Sequence, residues 1–172
     1  MSDSSWKYAS GPITKNSVYI GVAYNANNEL DGWDKPGYDD KTWKAATVGT
    51  PPGGKLEKAF FPPVEITEEI TPVNIFSPAK GVWMVDMGVN FTGTYKIKLS
   101  GAVGDTIVFK FGERGYEDGS VNPMTTVAGQ MKRKGVGGPG APAIAWQTDI
   151  YTVGSKRSHD LVRILLSPPT AT

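Results

Sequence analysis

Thr94-Tyr95-Lys96-Ile97-Lys98-Leu99 and, after a short turn, Thr106-Ile107-Val108-Phe109-Lys110-Phe111 decide the fold of this chain. In the first stretch the odd positions are apolar and the even positions polar. Successive side chains of an extended strand point to opposite faces, so Tyr95, Ile97 and Leu99 face a core while Lys96 and Lys98 face water. The second stretch places Ile107, Phe109 and Phe111 inward by the same rule. The connecting Gly101-Ala102-Val103-Gly104-Asp105 is short and glycine-bearing, which predicts that the two strands pair as an antiparallel hairpin.

Working outward, Val82-Trp83-Met84-Val85-Asp86-Met87 is apolar on both faces except at Asp86 and is bracketed by Gly81 and Gly88, the pattern of an interior strand. Val18–Tyr24, Val64–Ile70 and Gln147–Val153 are further strand candidates. Pro62, Pro63 and Pro72 keep the ends of the second of these out of a central ladder. Glycine (21) and proline (13) make up almost a fifth of the residues and fall between short apolar runs, as in proteins that punctuate strands with turns. No stretch of helical length carries apolar residues at three-and-four spacing without such a break. The expected fold is all-β, an antiparallel β-sandwich of jelly-roll type, with an irregular aromatic-rich connector near the N-terminus. Residues 1–50 read as a lead-in strand and connector from a preceding sandwich. Residues 51–172 read as the sandwich itself, with a low-complexity loop at 135–143.

Charge and composition exclude several functions. The 172 residues carry 18 Lys plus Arg against 17 Asp plus Glu, a formal charge of +1, which gives no field to steer nucleic acid or an anionic membrane. The basic cluster Lys132-Arg133-Lys134 reads as a solvated loop. The absence of cysteine removes disulfides and thiolate metal sites. One histidine, His159, cannot build a multi-histidine metal centre and reads as a surface residue. No apolar run nears the roughly 18 residues of a membrane span, and Met1–Ser5 lacks the regions of a signal peptide. A periplasmic or extracellular parent whose signal lies outside this chain is the expectation for its location. With 39% hydrophobic and 20% charged residues the chain can bury a core.

Four segments, in order, resemble the N-terminal half of bacterial α-L-rhamnosidases. They are Gly11-Pro12-Ile13 with Val18–Gly21 and Tyr24-Asn25-Ala26; Gly32-Trp33-Asp34-Lys35-Pro36-Gly37-Tyr38-Asp39-Asp40 with Trp43-Lys44; Gly81–Gly93; and Phe111-Gly112-Glu113 with Asp118-Gly119. They span about residues 6 to 153, and their order and spacing carry the likeness. The resemblance implies an accessory β-sandwich of a glycoside hydrolase whose catalytic carboxylates lie in a later α-helical barrel, so it supplies no catalytic residue here. It also implies a closing strand with a His-Gly-Phe-Arg-Tyr-like pattern. This chain instead reads Ser155–Leu166, a departure that puts the last strand in question.

Glycoside hydrolysis uses two carboxyl groups about 5 to 9.5 Å apart across the sugar. The candidates are Asp39/Asp40, Glu68/Glu69, Glu113 and Glu117/Asp118. Neighbours on a strand diverge, which separates Glu68 from Glu69, and Asp118-Gly119 is turn chemistry. The loop bearing Trp33, Tyr38, Asp39, Asp40 and Trp43 is the candidate carbohydrate site, because an exposed indole beside carboxylates suits a sugar's apolar C–H face and its hydroxyls. Asp39 and Asp40 are also oxygen ligands of the kind calcium takes, although nothing else in the sequence supports a calcium site. The plainer reading makes Trp33 and Trp43 anchors that bury the connector. Asp86, Gly88, Asn90, Phe91 and Gly93 form a structural turn: Asp86 and Asn90 tie it down, Gly88 and Gly93 supply unusual backbone angles, Phe91 plugs the core, and Asp86, on an otherwise apolar strand, needs a partner because an unpaired buried carboxylate is costly.

The leading expectation is therefore a non-catalytic sandwich partnered by the catalytic barrel of its parent enzyme, with no cofactor, nucleic acid or membrane. The alternatives are a binding module for rhamnose-type sugars and a compact glycosidase using its own carboxylates. A sandwich lacking its closing strand presents a pairable edge, so self-association is expected of the chain alone.

Overall fold

The computed structural model describes residues 3–63, 65–127, 142–155 and the strand 160–165. The basic cluster Lys132–Lys134, most of the glycine-rich run, His159 and the tail 167–172 lie outside the described residues. Among the described residues there are ten strands: β1 (Lys7–Tyr8), β2 (Ile13–Ser17), β3 (Gly21–Asn25), β4 (Lys44–Ala45), β5 (Asn74–Ala79), β6 (Val82–Asp86), β7 (Thr94–Leu99), β8 (Thr106–Lys110), β9 (Thr148–Thr152) and β10 (Asp160–Leu165). Two short 3₁₀ turns, Ala26–Asn28 and Pro123–Thr126, are the only helical elements among the described residues.

The largest sheet has four strands in the order β2-β3-β9-β8. The β2/β3 pair is antiparallel, as is β8/β9, in which Thr106 faces Thr152 and Lys110 faces Thr148. At its centre β3 and β9 run parallel, with Ala23, Tyr24 and Asn25 opposite Ile150, Tyr151 and Thr152. Strands from the lead-in segment thus share a sheet with strands more than eighty residues later. A second layer is β7 paired antiparallel with β10, Asp160 opposite Leu99 through Leu165 opposite Thr94.

The core lies between these layers. Ala26, Tyr151 and Val153 are its fully buried members, and Val22, Tyr24, Tyr95, Ile97, Leu99, Ile107 and Phe109 pack around them. The inward faces expected of β7 and β8 are therefore the observed ones. Tyr95 meets Phe109 and Phe111 with ring centroids 5.1 and 5.6 Å apart, and Tyr24 stacks on Tyr151 at 5.6 Å. Such ring pairs add about 0.5–1.5 kcal/mol each beyond their buried area.

The pairing expected between β7 and β8 is not observed. They do not form a hairpin: β7 pairs with β10 and β8 with β9. The Gly101–Asp105 connection arches from one layer to the other. Asp105 Oδ2 accepts from the Ala102 N–H at 2.7 Å, and Gly104 N–H and Asp105 C=O bond Val153 C=O and N–H, both at 2.9 Å. Period-two alternation reports which side of a strand is apolar, and that is the same whether two strands share a sheet or face each other across a core. One edge of β7 pairs with β10 in a two-stranded sheet.

Two further expectations are corrected. Residues 65–70 form no strand: with Pro62, Pro63 and Pro72 at the ends and Glu65, Glu68 and Glu69 within, no face of the segment is wholly apolar. In Val18–Tyr24 the strand begins only at Gly21, and Val18–Ile20 form the turn from β2 to β3. Gly21 has φ +79°, and a Cβ there would lie 2.3 Å from the Thr148 carbonyl oxygen, so only glycine lets β9 approach at this point.

Val82–Asp86 is a strand but not an interior one. Among the described residues it pairs only with β5, Ile75 opposite Val85 and Phe76 opposite Met84, and most of its residues are exposed. Pro78 sits inside the register shift between Phe76 and Ala79, where the ladder needs no donor. Ser77 Oγ lies 2.9 Å from the Ala79 carbonyl and 2.8 Å from that of Val82, tying the turn together.

Candidate functional site

The aromatic loop from Asp31 to Trp43 is a succession of tight turns. Trp33 N–H bonds Leu30 C=O, Lys35 N–H bonds Gly32 C=O, Tyr38 N–H bonds Lys35 C=O and Trp43 N–H bonds Asp40 C=O, at 2.9–3.3 Å. Gly32 and Gly37 supply the positive φ values, +76° and +82°, that such turns require. Tyr38 and Trp43 are half-buried against one another, ring centroids 5.7 Å apart. Asp40 accepts from Lys7 Nζ at 2.8 Å, joining the loop to β1. Asp39 accepts from the Lys41 N–H at 3.1 Å and from its Nζ at 3.3 Å. Trp33 stands apart, 62% exposed. Of the five residues expected to form a sugar site, the structure thus joins Tyr38 with Trp43, binds each carboxylate to a lysine and turns Trp33 to water. Trp43 is half-buried against Tyr38, whereas Trp33 is exposed.

The Asp86–Gly93 segment is a surface turn. Asp86 Oδ1 accepts from the Gly88 N–H at 2.8 Å, and Gly88 has φ +72°. Asp86 is exposed rather than buried, as are most residues of the strand that carries it. Asn90 is exposed too. Phe91 is not the core plug expected of it: its ring is exposed and lies over Gly93, with 3.2 Å from Phe91 Cδ2 to the position of a Gly93 Cβ.

The buried carboxylate is instead Asp149, at 1% exposure. Its Oδ1 accepts from the Val22 N–H at 2.8 Å, and the Tyr95 hydroxyl donates to Oδ2 at 3.3 Å. It thereby ties β9 to β3 within one sheet and to β7 in the facing layer. Burial pushes its pKa above the ordinary carboxylate value, against the opposing pull of Val22, Tyr95 and the charge of Lys15. Burial, followed by the nearby Asp149 charge, pushes the Tyr95 hydroxyl well above its usual range. A signal for Asp149 was present in the sequence: in Asp149-Ile150-Tyr151-Thr152-Val153 it shares the period-two face of Tyr151 and Val153, both core residues.

The other acids serve their own loops. Asp118 Oδ1 accepts from the Ser120 hydroxyl at 2.6 Å and its N–H at 2.9 Å, which holds its carboxyl below the ordinary value. Glu113 offers its N–H to Thr125 Oγ1 at 2.7 Å and is exposed. Glu68, Glu69 and Glu117 are exposed as well. Among the described residues no three His, Asp or Glu side chains gather as metal ligands would.

Comparison with known proteins follows the same lines. Residues 1–68 match the family model of the α-L-rhamnosidase N-terminal domain, and residues 77–155 match that of the bacterial α-L-rhamnosidase concanavalin-like domain. The α-L-rhamnosidase of Formosa agariphila is 34% identical over 106 residues, which are 62% of this chain and 11% of that protein. That of Streptomyces avermitilis is 31% identical over 117 residues, 67% of this chain and 11% of its own. The solved α-L-rhamnosidase of Dictyoglumus thermophilum superposes with a TM-score of 0.80 at 35% identity, covering 96% of this chain and 17% of that one. The chain therefore spans only about a tenth to a sixth of the length of these relatives. With two adjoining family models accounting for most of its residues and the same fold in a solved relative, the chain belongs to the α-L-rhamnosidase family, matching its N-terminal and concanavalin-like domains.

Proposed function

We propose that this chain is a non-catalytic β-sandwich that packs against the catalytic barrel of an α-L-rhamnosidase and holds it rigid. The observation that carries this reading is the fate of the acids. An acid–base pair must face one sugar across about 5 to 9.5 Å. Here Asp39, Asp86 and Asp118 are committed to their own turns and Asp40 to Lys7, while Asp149 is sealed between Val22 and Tyr95 in the core. A core carboxylate at 1% exposure has no access to a glycosidic bond. The purified chain should release no nitrophenol from nitrophenyl α-L-rhamnoside above the buffer rate. Turnover that Asp149→Asn leaves intact would replace this reading with the compact-glycosidase one.

A second reading, sugar binding at the connector, is favoured by Trp33, a large indole exposed on the connector loop. Under it, tryptophan fluorescence shifts on titration with rhamnose and Trp33→Ala abolishes the shift. A flat titration, with or without calcium, leaves only the packing role.

A further inference from the structure

Two portions of the chain far apart in sequence share one core, and the stretch that joins them takes no part in it. The first portion, residues 3–46, closes on itself through β1 and β4, with the Ala46 N–H bonded to the Trp6 carbonyl at 2.8 Å. Order resumes at Val73, whose N–H bonds the Asp86 carbonyl at 2.8 Å. Of the described residues between them, 47–72, none is in a strand and only Ile70 is even partly sheltered. Leu56 and Phe60 are 101% and 97% exposed, as side chains of an unfolded chain are. An ion pair there, Lys55 with Glu57 at 3.5 Å, is local and bathed in water.

The junction between the two portions has the opposite character. β9 stands between β3 of the first portion and β8 of the second. Across β3 and β9, Tyr24 stacks on Tyr151 and the Val22 N–H bonds Asp149 Oδ1. Asn27 Nδ2 donates to the Val153 carbonyl at 3.3 Å, and the Ser155 N–H donates to Asn27 Oδ1 at 3.3 Å. The backbones come so near that a Cβ at Gly154 would lie 2.7 Å from that of Ala26. The buried core draws Ala26 from the first portion and Tyr151 and Val153 from the second. Without residues 3–46, one edge of β9 would be bare.

We infer that residues 47–72 are a site of endoproteolytic cleavage that the fold survives, the two fragments staying together as a non-covalent pair through β3 and β9. The protease is of the class that cuts after large apolar side chains. Water adds across the peptide bond after Leu56 or Phe60, leaving a carboxylate on that residue and a free amine on Glu57 or Phe61. Cutting after Phe61 is disfavoured, because Pro62 follows and restricts the backbone at that bond. Exposed backbone without hydrogen-bonded partners is where nicking concentrates. The folding unit thereby crosses the gap between the two family matches, which lies between residues 68 and 77, and neither match is self-standing. The pairing holds whether or not the chain packs against a catalytic barrel.

Brief chymotrypsin treatment of the intact 172-residue chain tests this. Mass spectrometry should place a cut after Leu56 or Phe60. Native gel filtration should show both fragments in one peak of the parental size, which urea separates. Losing the tether replaces an effective concentration on the order of 1 mM by the actual one, about a 100-fold loss at roughly 10 µM. The melting temperature of the nicked protein should therefore fall by roughly 5–10 °C and climb back as its concentration rises. Leu56→Ser combined with Phe60→Ser abolishes the cut and leaves the melt of the uncut chain unchanged. Gly21→Ala, which drives a methyl group towards the Thr148 carbonyl, weakens the junction and separates the nicked fragments. Parental fragments that part in buffer overturn the pairing. Cleavage that spares residues 47–72 while cutting the strands overturns the site. A nicked protein whose melt is independent of concentration shows two portions that fold separately, and overturns the shared unit.

Discussion

Removing the carboxylate of Asp149 is the most informative single perturbation of this fold, because one side chain bonds two strands in different layers. Asp149→Ala takes the acceptor from the Val22 N–H, now 2.8 Å from Oδ1, and leaves that donor in a site where the native residue is 1% exposed. A buried donor without a partner costs about 1–3 kcal/mol. The emptied volume and the lost Tyr95 contact at 3.3 Å add to this, so a total of about 2–4 kcal/mol is expected. For a domain of this length each kcal/mol moves the melting temperature by about 2–4 °C, so the variant should melt some 5–15 °C below the parent. Asp149→Asn separates charge from shape, since it keeps an oxygen for Val22 and removes the ionisation. Burial raises the native pKa above 3.8, so the native state holds this proton more tightly than the unfolded chain does. The resulting stabilisation is complete below the unfolded pKa and is lost as pH rises through the native one. Measured as urea unfolding across the acid range, the Asn variant should therefore gain on the parent as pH rises through that window. Taking the difference between the two proteins cancels the contributions of Asp3 and Asp118, whose carboxyls are lowered and act in the opposite sense. An Ala variant that melts within a degree of the parent, or an Asn-to-parent difference that is flat with pH, would refute the account of this residue.

Tyr95→Phe removes a donor that favours ionised Asp149, so it should raise the Asp149 pKa further and cost about 0.5–1.5 kcal/mol, read from the same urea curves at neutral pH. Gly21→Ala drives a methyl group towards the Thr148 carbonyl from a φ of +79° and should cost on the order of 3 kcal/mol; a thermal melt near the parental one would mean that β9 yields at this point. Asp86→Ala loses one exposed turn contact to the Gly88 N–H, so chemical denaturation should show about 1 kcal/mol or less, and a larger loss would restore a buried role for Asp86.

How much was legible in the sequence depended on whether a property is local. Alternation in Tyr95-Lys96-Ile97-Lys98-Leu99 and Ile107-Val108-Phe109 determined which side chains face the core, because the period of a strand is set by its own backbone. The family likeness was also local, since the Trp33–Trp43 and Gly81–Gly93 segments carry it in their residue order, and the family matches fall on both. Strand partners were not. Whether β7 joins β8 or β10 depends on which edges are free once the whole chain is placed, and both arrangements bury the same faces. The parallel contact of β3 with β9 joins residues more than a hundred positions apart, so no window of sequence contains it. The same holds for the acids. Asp86 and Asp149 each sit in a strand whose own residues do not say what lies across from it, although Asp149 shares its face with Tyr151 and Val153. Tertiary structure alone made one an exposed turn residue and the other a buried tie between layers, because burial is a property of what lies across from a strand and not of the strand itself.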